Sequence, residues 1–336
     1  MSELRVVDTG FGNVKGAALD SAGNRRTIIF PSGIEADGAA QIRGFQVSAD
    51  SESNEIYPVV DGVRYRVCTE AQAVPRIKRP APSDNFQSSP EHVALTAVAL
   101  HALGPTDIDL LVLGTPVHTW RMHREQLKRT FTGLCNFGLG PLRIAKTLVF
   151  PQPYGSLVQA HHSGAIVADP TISTVILDPG WYSLDGLTAR NGLDVDPARS
   201  HGVPFGMHAL CTRLADFLER DFGLRVGQID RIDYALRTDR PLRIGTKDIN
   251  LRLYLPQLRP FIREGVNSIK VKLGSCEDAQ VVVTGGGSPF FIETIREAFP
   301  KNHVVQMRNP IEGNLQGFLV AAQAACKADR NFSAGS

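Results

Sequence analysis

TVILDPGWYSLDGL, residues Thr174 to Leu187, is an apolar run that ends in Asp178, turns at Pro179 and Gly180, and leaves through the alternating Ser183, Leu184 and Asp185. That pattern reads as a strand, a tight turn with an acid at its lip, and a returning strand. The N-terminus repeats it. Arg5 to Gly16 reads RVVDTGFGNVKG, and placing Asp8 on Asp178 also places Gly10 on Gly180, Phe11 on Trp181, Asn13 on Ser183, Val14 on Leu184 and Lys15 on Asp185. A lone hairpin of this kind is an ordinary corner; two in register are a repeated element.

The chemistry of such a turn favours phosphate. Glycine lets the backbone approach an anion closely, and successive amide N–H groups in a turn form an anion-binding concavity. An acid at the turn repels phosphate but can hold magnesium or orient a water. Two facing copies would grip a polyphosphate and its metal from both sides. A third glycine stretch supports the same ligand: Gln280 to Thr284 reads as a buried strand opening into Gly285-Gly286-Gly287-Ser288-Pro289, with a helix from Phe290 to Phe299. A strand, a glycine loop and a helix N-terminus form a cradle for an anion. The spacing is not G-x-G-x-x-G and the lysine of a P-loop is absent, so neither a dinucleotide fold nor a Walker site is supported.

With 336 residues and 36.5 kDa, the chain allows two domains of ordinary size. The formal net charge of +2 predicts no non-specific binding to nucleic acid or membrane, so any contact with DNA is expected to be indirect. The five cysteines, Cys68, Cys135, Cys211, Cys276 and Cys326, are scattered, with no zinc-type spacing, which fits a reducing cytoplasm. The start, MSELRVVD, reads as a strand rather than a signal peptide, and no apolar run reaches membrane-spanning length.

Further along, a third antiparallel strand is expected over Arg26 to Phe30, broken by Pro31 and Ser32. Residues 33–81 read as a small inserted subdomain, with strands near Ile56 to Val60 and Val63 to Cys68 around an Asp61-Gly62 hairpin turn. Ser89-Pro90 starts a helix to Leu103; Asp109 to Thr115 is a buried parallel strand ending in Gly114-Thr115-Pro116; a charged helix covers Trp120 to Phe131, with His118 and His123 read as solvated or structural. Leu142 to Phe150 is a strand that Pro151-Gln152-Pro153-Tyr154-Gly155 breaks before a helix from Ser156 to Ala168, and the domain boundary falls there, giving domains 1–150 and 151–336. Ala198 to Gly206 reads as a loop before a helix from Met207 to Asp221. Tyr254 to Leu273 is helical, its start restricted by Pro256 and Pro260; Val304 to Gln306 is a strand; Ile311 to Lys327 is the last helix.

These motifs, in this order and spacing, resemble the actin, Hsp70 and sugar-kinase superfamily. Asp8 to Lys15 resembles its first phosphate loop, Leu177 to Asp185 its second, and Thr284 to Ser288 its adenosine loop. Phe30-Pro31-Ser32, Gly114-Thr115-Pro116-Val117, Asn309-Pro310, Gly313-Asn314 and Gly317 are similar to the ParM/StbA group, plasmid-segregation actins of bacteria and their archaeal relatives. The resemblance implies an α/β actin-like two-domain fold, built from duplicated ribonuclease-H-like domains with a nucleotide cleft between them, 33–81 as a variable subdomain, and a C-terminal helix packing back towards the first domain.

It also implies an ATPase that polymerises, uses ATP (or GTP) with Mg²⁺, and moves plasmid DNA through an adaptor. Thr9, Gly10, Phe11, Gly12, Asn13 and Lys15 would bind the β- and γ-phosphates, joined by Gly180, Trp181, Tyr182 and Ser183 from the second loop. Asp8 and Asp178 would hold Mg²⁺, mostly through water. Gly285, Gly286, Gly287 and Ser288 would take the adenosine, and Gln152 with Asp178 would act catalytically on the attacking water. Two departures stand out. The second loop carries bulky Trp181 and Tyr182 where the family has small residues, and Pro179 removes an N–H donor, so nucleotide binding is expected more firmly than rapid hydrolysis. A small-molecule kinase of the same superfamily, with Asp194 or Asp196 as base, and a weakly hydrolytic structural protein remain alternatives.

Overall fold

The computed structural model describes residues 3–37, 54–70, 78–167, 169–190, 192–223 and 225–334. Parts of the expected inserted subdomain, 38–53 and 71–77, lie outside the described residues, as does Ala168; the helix expected from Ser156 to Ala168 ends at His162. The chain divides into two compact units: Met1–Thr115, Thr119–Phe150 and Ala321–Ser336 form unit 1, and Pro116–His118 with Pro151–Val320 form unit 2.

Unit 1 begins with the hairpin read from the sequence. β1 (Leu4–Thr9), β2 (Asn13–Leu19) and β3 (Arg25–Pro31) form an antiparallel meander. β4 (Ile34–Ala36), β5 (Glu55–Ile56), β6 (Val59–Val60) and β7 (Val63–Cys68) make the small second sheet, in which β7 pairs with the other three. Its turn is the expected Asp61-Gly62 type: both residues have positive φ, 51° and 78°, as a two-residue hairpin matching strand twist requires. Helix α1 (Pro90–Ala102) starts as read, with Ser89 accepting the His92 N–H and proline in the first turn. It packs on β1 and β2. β8 (Asp107–Thr115) lies parallel to β1; α2 (Val117–Thr130), β9 (Gly133–Asn136) and β10 (Pro141–Pro151) follow, and the main sheet runs β3-β2-β1-β8-β10-β9.

Unit 2 repeats the plan. After α3 (Gln152–His162), strands β11 (Ser173–Pro179), β12 (Leu184–Arg190) and β13 (Asp194–Val203) form a second antiparallel meander. α4 (Met207–Phe222), α5 (Ile229–Thr238), the hairpin β14 (Leu242–Ile244) with β15 (Lys247–Ile249), and α6 (Leu255–Leu273) lead to β16 (Ala279–Val283), parallel to β11. α7 (Ser288–Ala298), β17 (Val304–Gln306) and α8 (Gly313–Ala334) complete the chain. The sheet order β13-β12-β11-β16-β17 matches β3-β2-β1-β8-β10, so the sequence repeat is a repeat of fold.

Three readings are corrected. Pro151-Gln152-Pro153-Tyr154-Gly155 does not break the chain before Ser156: β10 runs to Pro151 and α3 starts at Gln152, because the first turn of a helix needs no N–H from proline. Residues 198–203 are not a loop but the end of β13. Pro197 is tolerated there because β13 is the edge strand, where a missing donor breaks no inner ladder. Pro260 lies inside α6 rather than limiting its start. The segment 229–249, unassigned from sequence, folds as α5 and the β14–β15 hairpin.

Within unit 2, α3 and α8 touch backbone to backbone. A Cβ on Gly155 would lie 2.2 Å from the Asn314 carbonyl oxygen, and one on Gly317 only 1.6 Å from that of Gly155. Neither position has room for a methyl group. Gly317→Ala is therefore expected to cost about 2–3 kcal/mol by overpacking, read as a fall of several degrees in the thermal midpoint, whereas an unchanged midpoint would show that the two helices are free to separate.

Candidate functional site

In unit 1, β1 delivers Asp8 to the end of the sheet, directly across the ladder from Lys15. The Lys15 ammonium donates to Asp8 Oδ2 at 2.6 Å, with Asp8 fully buried. The turn is closed by Gly10 N–H donating to the Asn13 carbonyl at 3.1 Å. Its outer side is fastened by Ser32, whose hydroxyl donates to Gly10 O at 2.5 Å, and by Arg79 Nε on Gly12 O at 3.0 Å. Thr9 shares a 2.8 Å hydroxyl contact with Thr96 of α1. Phe11 stacks on Phe86 with centroids 4.3 Å apart, so its ring is an anchor beneath the turn and its backbone is the part a ligand could meet.

Unit 2 builds the matching turn. Asp178 ends β11, and Gly180 N–H donates to the Ser183 carbonyl at 2.8 Å, the same bond as in the first turn. The carbonyls of Gly180, Trp181 and Tyr182 accept from Met207, His208 and Gly206 N–H at 3.0, 2.8 and 3.0 Å. The first N–H groups of a helix lack intrahelical partners, so the start of α4 and the turn orient one another. Trp181 packs against the large core of this unit and lies edge-on to His208 at 5.8 Å. Part of its bulk therefore lies against the core.

The glycine loop sits against the same acid. Gly285 has φ +79°, and a Cβ there would lie 2.0 Å from Asp178 Oδ1; Gly287 N–H donates to the Pro179 carbonyl at 2.8 Å. Asp178, its turn and the Gly285–Ser288 loop are thus packed together. Gln152 stands at the first position of α3, one turn before Ser156.

Sequence reasoning had given no role to the residues that hold this site. Asn314 Nδ2 donates to Asp178 Oδ2 at 2.7 Å, and Asn314 Oδ1 accepts the Ser156 hydroxyl at 2.6 Å. Ser156 is also 2.8 Å from the Thr284 hydroxyl, so α3, α8, the second turn and the glycine loop share one buried polar chain. Arg237, paired with buried Asp233 at 2.7 Å, donates to the Gly286 carbonyl at 2.8 Å. The Gly313-Asn314 pair was the visible signal for the first group; nothing in the α5 sequence pointed to Arg237.

A family model for the N-terminal domain of actin-like proteins matches residues 7–155. The fold of almost the whole chain is that of the archaeal actin homologue Ta0583 solved with ADP: TM-score 0.75, 20% identity, covering 96% of this chain and 100% of the other. The chain has an actin-like fold. A 15-stranded ParM filament from Clostridium botulinum is similar at TM-score 0.72 and 16% identity over 96% and 99% of the two chains. ParM of Bacillus thuringiensis with AMPPNP is similar at 0.62 and 14% over 95% and 98%. At these identities the structural likeness speaks to the actin-like fold. No curated protein matches the sequence.

Two measurements check this geometry. Asn314→Leu removes a donor from a buried carboxylate and an acceptor from Ser156; it should cost about 3 kcal/mol of unit 2 stability, and a loss below 1 kcal/mol in urea unfolding would contradict the network. The second concerns His92, behind the first turn. Burial, helped by His123 and opposed by Asp8, lowers its pKa from 6.5 to about 3. Neither ring nitrogen has a hydrogen-bond partner among the described residues. The unfolded chain takes up a proton below about pH 6.5 that the folded one refuses, so His92 makes stability fall as pH drops. Between pH 7 and pH 5 this amounts to about 2 kcal/mol; His92→Leu should flatten that slope, and an equally steep slope would refute the assignment.

Proposed function

We propose that this protein, with its actin-like fold, binds Mg-ATP at its matched phosphate turns, hydrolyses it, and polymerises into filaments that segregate plasmid DNA in the cytoplasm through a DNA-binding adaptor. The observation that carries the reading is the pair of turns. Each follows a buried acid at the end of a central strand and is closed by the same backbone bond, Gly10 to Asn13 and Gly180 to Ser183. The ADP complex and the ParM filament among the structural neighbours support nucleotide binding and self-association.

The residues present fit the ligand. Asp8 and Asp178 are oxygen donors, the type a hard divalent cation takes. Among the described residues no group of three or more His, Cys, Asp or Glu could hold a metal. Single carboxylates suit a magnesium ion whose remaining ligands are phosphate and water. Bound there, the metal would neutralise charge on the phosphates. Gly10, Gly12 and Asn13 would receive phosphate oxygens on backbone and amide groups. Lys15 would exchange its carboxylate partner for phosphate, a cation already placed at the turn. Gly285 to Gly287 would let the nucleoside lie against the backbone, with ATP the expected base and GTP the alternative. Gln152 would hold the attacking water, and Asp178 would accept its proton or bind it through the metal's shell.

The kinase alternative needs a base at Asp194 or Asp196. Asp196 pairs with Arg190 at 2.9 Å and accepts the Ala198 N–H at 3.1 Å on the edge strand, a structural commitment that favours the filament reading.

Pelleting of the purified protein with Mg-ATP, Mg-GTP, Mg-ADP and no nucleotide, followed by negative-stain microscopy, tests the proposal. Filaments should require a triphosphate; protein that stays soluble in every tube would sink it. In the same assay Gln152→Ala should still assemble while releasing phosphate about a hundredfold more slowly.

A further inference from the structure

Asp185 occupies in the second hairpin the place that Lys15 holds in the first. It lies directly across the ladder from Asp178, as Lys15 does from Asp8. An acid at that place cannot neutralise phosphate. Two carboxylates on facing strands, 6% and 3% exposed, repel unless each is supplied with donors. Asp178 has Asn314. Asp185 draws on two other places: its Oδ2 accepts the Ser183 hydroxyl at 2.5 Å, and its Oδ1 accepts the Val117 backbone N–H at 3.1 Å and lies 3.5 Å from Nδ1 of His118.

The surroundings are shaped for this arrangement. Gly202 stands beside Asp185 in the β12–β13 ladder, and a Cβ there would lie 2.5 Å from Asp185 Oδ1 and 2.4 Å from His118 Nδ1. Any larger residue would evict the imidazole or the carboxylate. Pro116–His118 is itself a singular piece of chain: it clusters with unit 2, while the residues up to Thr115 and from Thr119 cluster with unit 1. The bonds to Asp185 fasten that excursion to the strand leaving the phosphate turn.

We propose that Asp185 is a positioning residue that couples occupancy of the second phosphate turn to Pro116–His118 through the single hydroxyl proton of Ser183. This rests on the nucleotide reading above. A hydroxyl has one proton to give. Without ligand, Asp185 takes it; a phosphate oxygen at Gly180–Ser183, which can only accept, competes for the same proton. When phosphate wins, Asp185 is left one donor short in a buried place, and a buried carboxylate is costly until its lone pairs are satisfied. The remaining donors are the Val117 amide and the His118 ring, and their bonds tighten as charge-assisted bonds do. The chain at Pro116–His118 thus stiffens when the turn is filled.

Hydrogen exchange of the full chain, read by mass spectrometry over residues 114–120, tests the coupling. The probe is the Mg²⁺ complex of a non-hydrolysable ATP analogue, its binding followed separately by calorimetry. In the wild type, exchange at Val117 and His118 should slow about fivefold or more on binding. Ser183→Ala, which frees Asp185 from the hydroxyl, should already exchange slowly without nucleotide and change little with it. Ser183→Thr should behave as the wild type, and Asp185→Asn should exchange fast in both states. Wild-type exchange in Ser183→Ala and in Asp185→Asn, with and without analogue, would overturn the proposal. If the analogue does not bind the wild type, the nucleotide reading fails; the ligand-free comparison of the wild type with Ser183→Ala still decides whether the serine proton governs Val117.

Discussion

The hydrogen bond from Asn314 to Asp178 is the constraint on which the second unit depends. A carboxylate that is almost fully buried at the end of a central strand must be given donors, or it would be driven to neutralise or to open the structure. Asn314 can serve only if the start of α8 comes close to the β11 turn. That approach explains the glycines around it. Gly313 must fit beside the Thr284 and Ser156 hydroxyls, where a Cβ would come within 2.6 and 2.7 Å, and Gly155 and Gly317 must let two helix backbones touch. Gly285 must turn with positive φ against the acid itself. One buried charge therefore dictates small residues on α3, α8 and the glycine loop.

The two hairpins share a backbone but solve the same electrostatic problem differently. The first neutralises its buried acid with a facing lysine, Lys15, so the turn carries a compact ion pair. The second faces its acid with another acid and distributes neutral donors, Asn314, Ser183 and the Val117 amide, around the two. The aromatic residue after each glycine is likewise placed by its own neighbours: Phe11 stacks on Phe86, and Trp181 enters the core beside His208. In both cases the side chain fixes the turn by packing away from it. The bulk of Trp181, a departure from the family's small residues, packs partly against that core.

The hairpins, the glycine loop and the duplicated plan were legible because they are local. Each rests on a strand period of two, a glycine where φ or close approach demands it, and an acid at a fixed offset, all within about a dozen residues. The same holds for Asp61-Gly62, whose positive φ values follow from the dipeptide alone. What was not legible depends on distant partners. Asn314 meets Asp178 across 136 residues, and the Arg237 contact with Gly286 spans 49. Proline misled at Pro151-Gln152-Pro153: its missing N–H is a fault only where a partner waits for it, and the first turn of α3 has none.

The departures from a symmetric pair of turns also bear on what the second one can do. On the proposed reading, the lysine facing the acid would leave its partner for a phosphate while the acid would meet the metal. A carboxylate facing the acid has no such exchange available. Any anion that enters must be matched by donors taken from somewhere else, and in this unit the donors at hand are the Ser183 hydroxyl and the amide and imidazole of residues 117 and 118. Gly202, without a side chain, preserves the room that the imidazole needs to come closer. On that reading the first turn would hold charge and the second would redistribute hydrogen bonds, and a redistribution of that kind would change the structure of the chain around it.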